Sequence, residues 1–141
     1  MEQLIIDSAK RVYSELGPGH SETTYQKAMS HELQIHNLKV DLERHLSVTY
    51  TDSIGNTHYL TSERIDIFIH NTNQENNGNI ILELKATQKG IQEQEIVQIK
   101  KYFRQLKKEN TSINYGILIN FPQPNSKFTT ETIEYLVVKS D

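Results

Sequence analysis

Two strand-like segments that carry acidic residues constrain the fold of this chain more than any other feature of its sequence. The first segment, residues 64–69, places Asp66 among isoleucines, and the second, residues 79–86, contains Glu83, Leu84 and Lys85 in succession. A polar stretch rich in asparagine joins the two segments. Neighbouring strands with a connection of this length commonly pair as a hairpin, so the acidic residues are expected to lie close together.

The alternation of side chains along a strand assigns these residues to faces of the predicted sheet. Glu83 and Lys85 share one face, and the apolar residues of their segment share the other: Ile80, Leu82 and Leu84. In the first segment, Asp66 is expected on one face with Arg64 and Phe68, and the opposite face is formed by Ile65, Ile67 and Ile69. Two carboxylates and one ammonium would then meet on one side of a sheet whose other side is core. Such a group can hold a divalent metal through hard oxygen ligands and orient a water against a phosphodiester.

Length and composition indicate one globular domain spanning residues 1–141. A chain of 141 residues with 23% charged and 35% hydrophobic residues can bury a substantial core. It contains no apolar run of the roughly 20 residues that a membrane span needs. Its first residues lack the pattern of a secretory signal, and it has no cysteine for disulfides or thiolate chemistry. We therefore expect an intracellular protein that is not secreted and has no membrane contact.

A run of basic residues stands out against the net charge of −3. The net charge argues mildly against a protein that coats nucleic acid, because its backbone is polyanionic. Residues 100–108, however, carry five cations and no acid, and we expect the first three of them to contact nucleic acid: Lys100, Lys101 and Arg104. The alternative interpretation is a solvated helix face.

Hydrophobic periodicity predicts helices at 3–16, 21–37 and 92–109, and strands at 40–50, 58–70, 79–86, 113–119 and 130–138. The strand at 58–70 could be broken near Ser62. The Gly17-Pro18-Gly19 sequence ends the first helix, and Ser21 caps the second. The order α-α-β-β-β-α-β-β indicates an α/β (α+β) fold in which helices pack on a sheet.

Several short motifs make the chain resemble the GxxExxY family of the PD-(D/E)xK nuclease superfamily. The motif G-x-x-E-x-x-Y is formed by Gly19, Glu22 and Tyr25, and Asp66 precedes the Glu83-Leu84-Lys85 motif. A pair on the third predicted helix, Gln98 and Tyr102, and the segment 116–121 also agree with the family. The superfamily's eponymous proline is replaced by Ile65. The resemblance implies a restriction-endonuclease-like core, a mixed β-sheet flanked by helices, with a Mg²⁺- or Mn²⁺-dependent phosphodiesterase site that favours DNA over RNA.

The resemblance also implies a role for each site residue. Asp66, Glu83 and the Leu84 carbonyl would bind the metal, with Glu22 bound directly or through water. Lys85 would orient the attacking water, and Gln98 would hold that lysine or the scissile phosphate. Tyr25 and Tyr102 would support the site.

Less specific interpretations stay open for several of these residues. Asp66 could pair with Arg64 or Lys85, Glu22 could be an acid favoured by the helix dipole, and Tyr25 and Tyr102 could be core aromatics. At the level of the whole chain, a catalytically silent module that binds nucleic acid or a protein partner is the main alternative, and an interaction protein that pairs through its sheet edge is another. The superfamily also makes a homodimer or a larger assembly possible.

Overall fold

The computed structural model describes residues 1–71, 78–124 and 132–140. Its elements follow the predicted order. They are, along the chain, α1 (Glu2–Leu16), α2 (Glu22–Ile35), β1 (Lys39–Thr51), β2 (Thr57–His70), β3 (Asn79–Lys85), α3 (Glu93–Lys108), β4 (Ile113–Asn120) and β5 (Glu134–Lys139). The start of the last predicted strand, at 130–131, and most of the asparagine-rich stretch lie outside the described residues.

The strands form one mixed sheet in the spatial order β1-β2-β3-β4-β5. β3 and β4 run parallel, and the other neighbouring strands are antiparallel. Parallel neighbours need a crossover connection, which α3 supplies between β3 and β4. This confirms the predicted mixed α+β sheet flanked by helices.

Helices cover both faces of the sheet, so the core has two layers. On one face, α1 and α2 bury residues such as Ile5, Tyr25 and Met29 against alternate residues of β3, namely Ile80, Leu82 and Leu84. On the other face, α3 buries Ile99, Tyr102 and Leu106 against Ile81 and Leu118. The expected core on the side of the sheet opposite the carboxylates is therefore present, and the side that carries the carboxylates is core as well. The carboxylates lie at a local polar site within a sheet that is otherwise buried on both sides.

The predicted alternation along β2 also fails at Asp66. Ile67 and Ile69 pack on the α1/α2 face as expected, but Ile65 packs on the α3 face together with Phe68. The regular alternation of side chains between the two faces of the sheet is therefore interrupted between Ile65 and Ile67, which we call the phase change in β2. The neighbouring strand is distorted at the same level, because Glu43 has a positive φ of 50°.

β1 and β2 form a hairpin that is longer than the other strands and is continuous through Ser62, which pairs with Ser47. The predicted break near Ser62 does not occur. Towards the turn, the hairpin extends beyond the helices, so that Tyr50 and Tyr59 are 55% and 64% exposed. Along β1, Leu46 is buried against α3 whereas Leu42 is exposed, so these two residues do not share a buried face.

Local sequence explains where the helices begin and how closely α3 approaches the sheet. Gly17 ends α1 with a φ of 71°, and the Ser21 hydroxyl accepts a hydrogen bond from the Thr24 N–H at the start of α2. On the sheet, Gly116 leaves space for Ile99, since a Cβ at this position would lie 2.4 Å from the Ile99 Cδ1 atom. Along the described residues, no helix is both long and apolar enough to cross a membrane.

Candidate metal and phosphodiester site

Asp66 and Glu83 lie in direct contact across β2 and β3. The Asp66 N–H donates to Glu83 Oε1 at 3.1 Å, and the Leu84 N–H donates to Asp66 Oδ2 at 2.7 Å. Each carboxylate thus accepts a hydrogen bond from the other strand's backbone. The two acids that the sequence placed on neighbouring strands are brought together.

At Asp66 and Leu84, these hydrogen bonds to carboxylates take the place of backbone hydrogen bonds between β2 and β3. β2 and β3 are paired at Ile67–Leu82 and beyond, towards His70, but Asp66 and Leu84 give their N–H groups to carboxylates instead. The strands therefore separate at the site. Because both main-chain groups of a strand residue point to the same side, the Leu84 carbonyl faces this gap as well. The Asp66 carbonyl accepts from Gln26 Nε2 at 3.0 Å, which ties the site to α2.

The two carboxyl groups are held in an environment that opposes their ionisation. Burial, with smaller contributions from the charges of Glu22 and Glu43, raises the pKa of Asp66 to about 6. Burial, with a smaller contribution from the adjacent Asp66 charge, raises the pKa of Glu83 to about 8. Like charges in a poorly solvated site favour retention of a proton. The pair therefore holds about one proton near neutral pH unless a cation joins it.

Lys85 follows Glu83 by two residues and forms no ion pair with any residue that the structure describes. Its charge still lowers the pKa values of both carboxyl groups, so it lies within electrostatic range of them. The predicted alternative of an Asp66 pairing with Lys85 or Arg64 is not observed, since Arg64 lies 3.8 Å from Glu43 instead.

The backbone after Lys85 is fixed by buried polar contacts. The Lys85 carbonyl accepts from the Phe121 N–H at 2.8 Å. Asn120, which is fully buried, accepts from the Thr87 N–H through Oδ1 and donates to the Thr87 carbonyl through Nδ2. These bonds hold the exit of β3 against β4 and so determine where the Lys85 side chain begins.

Glu22 lies near the site but does not touch the carboxylate pair. It is exposed in the first turn of α2, and its charge raises the pKa of both Asp66 and Glu83. Among residues 1–71, 78–124 and 132–140, no group of three or more acidic, histidine or cysteine side chains is close enough to hold a metal.

Tyr25 fixes the turn that precedes Glu22. Its hydroxyl donates to the Gly17 carbonyl at 2.7 Å and accepts from Gln123 Nε2 at 3.1 Å. Its ring stacks on Phe121 with a centroid distance of 4.4 Å. The Gln123 Oε1 atom in turn accepts from the Gly19 N–H at 2.6 Å. The glycine and tyrosine of the G-x-x-E-x-x-Y motif therefore act together to place the start of α2.

Gln98 and Tyr102 form a polar chain along α3. Gln98 Nε2 donates to the Tyr102 hydroxyl at 2.8 Å, and that hydroxyl donates to the Arg64 carbonyl at 3.3 Å. Burial raises the pKa of Tyr102, and the Glu83 charge adds to the rise. Tyr102 is thus a core residue whose polar end faces β2 beside the carboxylates.

The three basic residues singled out on α3 separate into two groups. Lys101 Nζ lies 2.7 Å from Glu63 Oε1 on β2, whereas Lys100 and Arg104 are exposed on another side of the helix. Residues that sequence reasoning missed are Gln26, Asn120 and Gln123. Their only sequence signal is a polar residue next to apolar ones, which does not reveal partners that are far away in the chain.

Comparison with known proteins gives a family and a fold. A sequence model of the PD-(D/E)XK nuclease superfamily matches residues 1–133. The solved structure titled "Crystal structure of SSO0001" superposes with a TM-score of 0.52 at 17% identity, covering 99% of this chain and 66% of that chain. At this identity the likeness concerns the fold alone. No curated protein matches the chain significantly.

Proposed function

The chain belongs to the PD-(D/E)XK nuclease superfamily, and from this premise we propose that it is a Mg²⁺- or Mn²⁺-dependent nuclease of the GxxExxY type, with DNA favoured over RNA as substrate. The observation that carries the proposal is the contact between Asp66 and Glu83. These two carboxylates, of which Glu83 is buried and Asp66 half-buried, repel each other when both are ionised and have no ion-pair partner among the described residues. A purely structural role does not require such an arrangement, which costs stability.

The donor set suits a hard divalent cation. Asp66 Oδ1 and Glu83 Oε2 accept no hydrogen bond from the described residues, so each carboxylate keeps one oxygen for a ligand. The Leu84 carbonyl faces the same gap and can provide a third oxygen. Mg²⁺ commonly binds one or two carboxylates and keeps several waters, so a group of three acidic side chains is not needed. Glu22 would then act through one of these waters.

When bound, the metal would polarise a phosphoryl oxygen and lower the pKa of a water. The side chains of the protein would position the metal, the attacking water and the scissile phosphate. Asp66 and Glu83 would hold the metal in a fixed position relative to the backbone of β2 and β3. Lys85, whose ammonium forms no ion pair with a described residue, would position the attacking water and stabilise the negative charge that develops on the phosphate. Gln98 would help to hold that phosphate or the lysine.

The test is cleavage of labelled single-stranded and double-stranded DNA, and of RNA of the same sequence, with Mg²⁺, Mn²⁺ or EDTA. The variants are Asp66→Asn and Lys85→Met, which preserve side-chain size, and the matched control is Lys10→Met on the exposed face of α1. We expect metal-dependent cleavage by the wild type and the control, and a loss of at least about 100-fold in both site variants.

The variants must remain folded for this test to discriminate, which thermal unfolding and circular dichroism would show. Lys85→Met should retain Mn²⁺ binding while losing turnover, because the lysine acts on water and phosphate rather than on the metal. Cleavage that persists in Asp66→Asn would contradict the proposed site. Nucleic-acid binding by a folded wild type that cleaves none of the substrates would favour the alternative of a catalytically silent binding module.

A further inference from the structure

A basic cleft lies along the side of α3 that faces away from Tyr102 and the carboxylate pair. It has a volume of about 360 Å³ and is lined by the second half of α3, the start of β4 and the end of β5. Four of its lining residues are cations, Lys100, Arg104, Lys107 and Lys139, and none is an acid. None of these four lies within ion-pair distance of a carboxylate in the part of the chain that the structure describes.

Helix geometry explains why these cations gather. Lys100, Arg104 and Lys107 are separated by four and three residues, so they share one side of α3. Lys139, near the end of β5, brings a fourth charge from the sheet. Lys101 points away from this group and is neutralised by Glu63. The basic run in the sequence therefore yields one concentrated cationic surface rather than a uniformly charged helix.

The position of the cleft along the sheet relates it to the carboxylates. Ile113, which lines the cleft, is five residues before Leu118, the partner of Glu83 in the parallel pair of β3 and β4. At a strand rise of about 3.3 Å per residue, the cleft is about 17 Å from Glu83 along the sheet. Glu83 and the cleft both lie on the α3 side. This span corresponds to about five nucleotide steps along a duplex axis.

We infer that this cleft is a second phosphate-binding site, which holds the backbone of a nucleic-acid strand a few nucleotides away from the carboxylate pair. The inference rests on the proposed nuclease function for the identity of the ligand. Four cations with no ion-pair partner among residues 1–71, 78–124 and 132–140 create a strong local positive potential in a chain whose net charge is −3. The lining hydroxyls of Thr111 and Ser140 can donate to phosphate oxygens. A polymer is favoured over a small anion because the charges come from two helical turns and a separate strand.

The experiment measures binding of a fluorescent 20-nucleotide DNA in EDTA, where no metal-dependent cleavage occurs, over a range of salt concentrations. The test variant is Lys100→Gln/Arg104→Gln, and a second is Lys107→Gln/Lys139→Gln. The charge-matched control is Lys10→Gln/Lys27→Gln, whose exposed lysines lie on α1 and α2 across the sheet. Each test variant should reduce the slope of log affinity against log salt by about two, and the control should leave it unchanged.

A second arm distinguishes a strand from a free anion. Inorganic phosphate is titrated into the wild type while amide NMR signals of the cleft are followed. Weak phosphate binding that the 20-nucleotide DNA displaces supports the inference, whereas phosphate binding without DNA binding overturns it. Equal salt slopes for wild type and both test variants would also overturn it. Because binding is read without metal, loss of binding in the cleft variants would support the cleft even if the protein cleaved nothing. Cleavage with unaltered binding would support the nuclease and reject the cleft.

Discussion

Replacing Glu83 with glutamine should stabilise the metal-free protein at pH 8 and abolish metal binding. Glu83 is 4% exposed, accepts a hydrogen bond from the Asp66 N–H, and lies against a second carboxylate. Glutamine keeps the size and the accepting oxygen but removes the charge. The protein would thus lose the repulsion between the two acids without losing their packing.

The pKa of Glu83 gives the size and the pH range of this effect. Burial and the Asp66 charge raise this pKa from 4.5 to about 8. At 1.36 kcal/mol per pKa unit, the ionised form is disfavoured by up to about 5 kcal/mol in the folded state. Burying the glutamine amide costs part of this gain, so we expect a net stabilisation of about 1–3 kcal/mol at pH 8.

The direction of the pH dependence follows from proton linkage. Between about pH 4.5 and pH 8, the folded protein binds a proton at Glu83 that the unfolded chain has lost, so the free energy of unfolding of the wild type falls as pH rises. Glutamine has no titratable group, so the free energy of unfolding of Glu83→Gln does not fall in this way as the pH rises. The advantage of Glu83→Gln should therefore be present at pH 8 and vanish near pH 5.

Guanidinium unfolding in EDTA at pH 5, 6, 7 and 8 measures the stabilisation by Glu83→Gln and its dependence on pH. Glu22→Gln is the control, because it removes an exposed acid near the site. The control should change the free energy of unfolding by less than about 0.5 kcal/mol. Added Mn²⁺ should stabilise the wild type and leave Glu83→Gln unchanged. If Glu83→Gln destabilised the protein equally at pH 5 and pH 8, the carboxylate would be a structural acceptor and the reasoning would be refuted.

Three further variants test other parts of the structure by denaturant unfolding and DNA binding. Gly116→Ala should destabilise the protein by about 1–3 kcal/mol, because the new Cβ would lie 2.4 Å from the Ile99 Cδ1 atom; unchanged stability would show that α3 can move away freely. Tyr25→Phe should cost about 1–2 kcal/mol by removing the hydroxyl bonded to the Gly17 carbonyl, with the stack on Phe121 retained; a loss below about 0.3 kcal/mol would contradict the role of that bond. Lys101→Gln should cost up to about 1 kcal/mol through the pair with Glu63 but leave the salt slope of DNA binding unaltered, and a reduced slope would place Lys101 on the nucleic-acid surface.

Local sequence patterns predicted the elements well because their signals are short-range. Glycine and proline after α1, a serine cap before α2 and the apolar stripe of α3 depend on residues a few positions apart, and the structure places the elements accordingly. The contact between Asp66 and Glu83 was predictable too, because consecutive strands usually pair.

Features that depend on distant partners were not predictable. The phase change in β2 arises where the Leu84 N–H bonds to Asp66 rather than to the backbone, which no alternation rule anticipates. The helix period shows that Lys101 lies on a different side of α3 from Lys100 and Arg104. It does not reveal the partner of Lys101, because Glu63 lies 38 residues away in the chain. Likewise, the link between Tyr25 and Gln123 spans 98 residues, so the motif alone suggests a site or core aromatic without deciding between them.

Whether Asp66 and Glu83 form a metal site can be measured by calorimetric titration of Mn²⁺ into the wild type and into Asp66→Asn at pH 7, repeated in two buffers of different ionisation enthalpy. We expect the wild type to bind Mn²⁺ and to release about one proton, because the metal replaces the proton that raised pKa values leave on this pair of carboxyl groups. We expect no binding by Asp66→Asn. Equal binding by both proteins, or no binding by a folded wild type, would contradict the claim that this pair is a metal site.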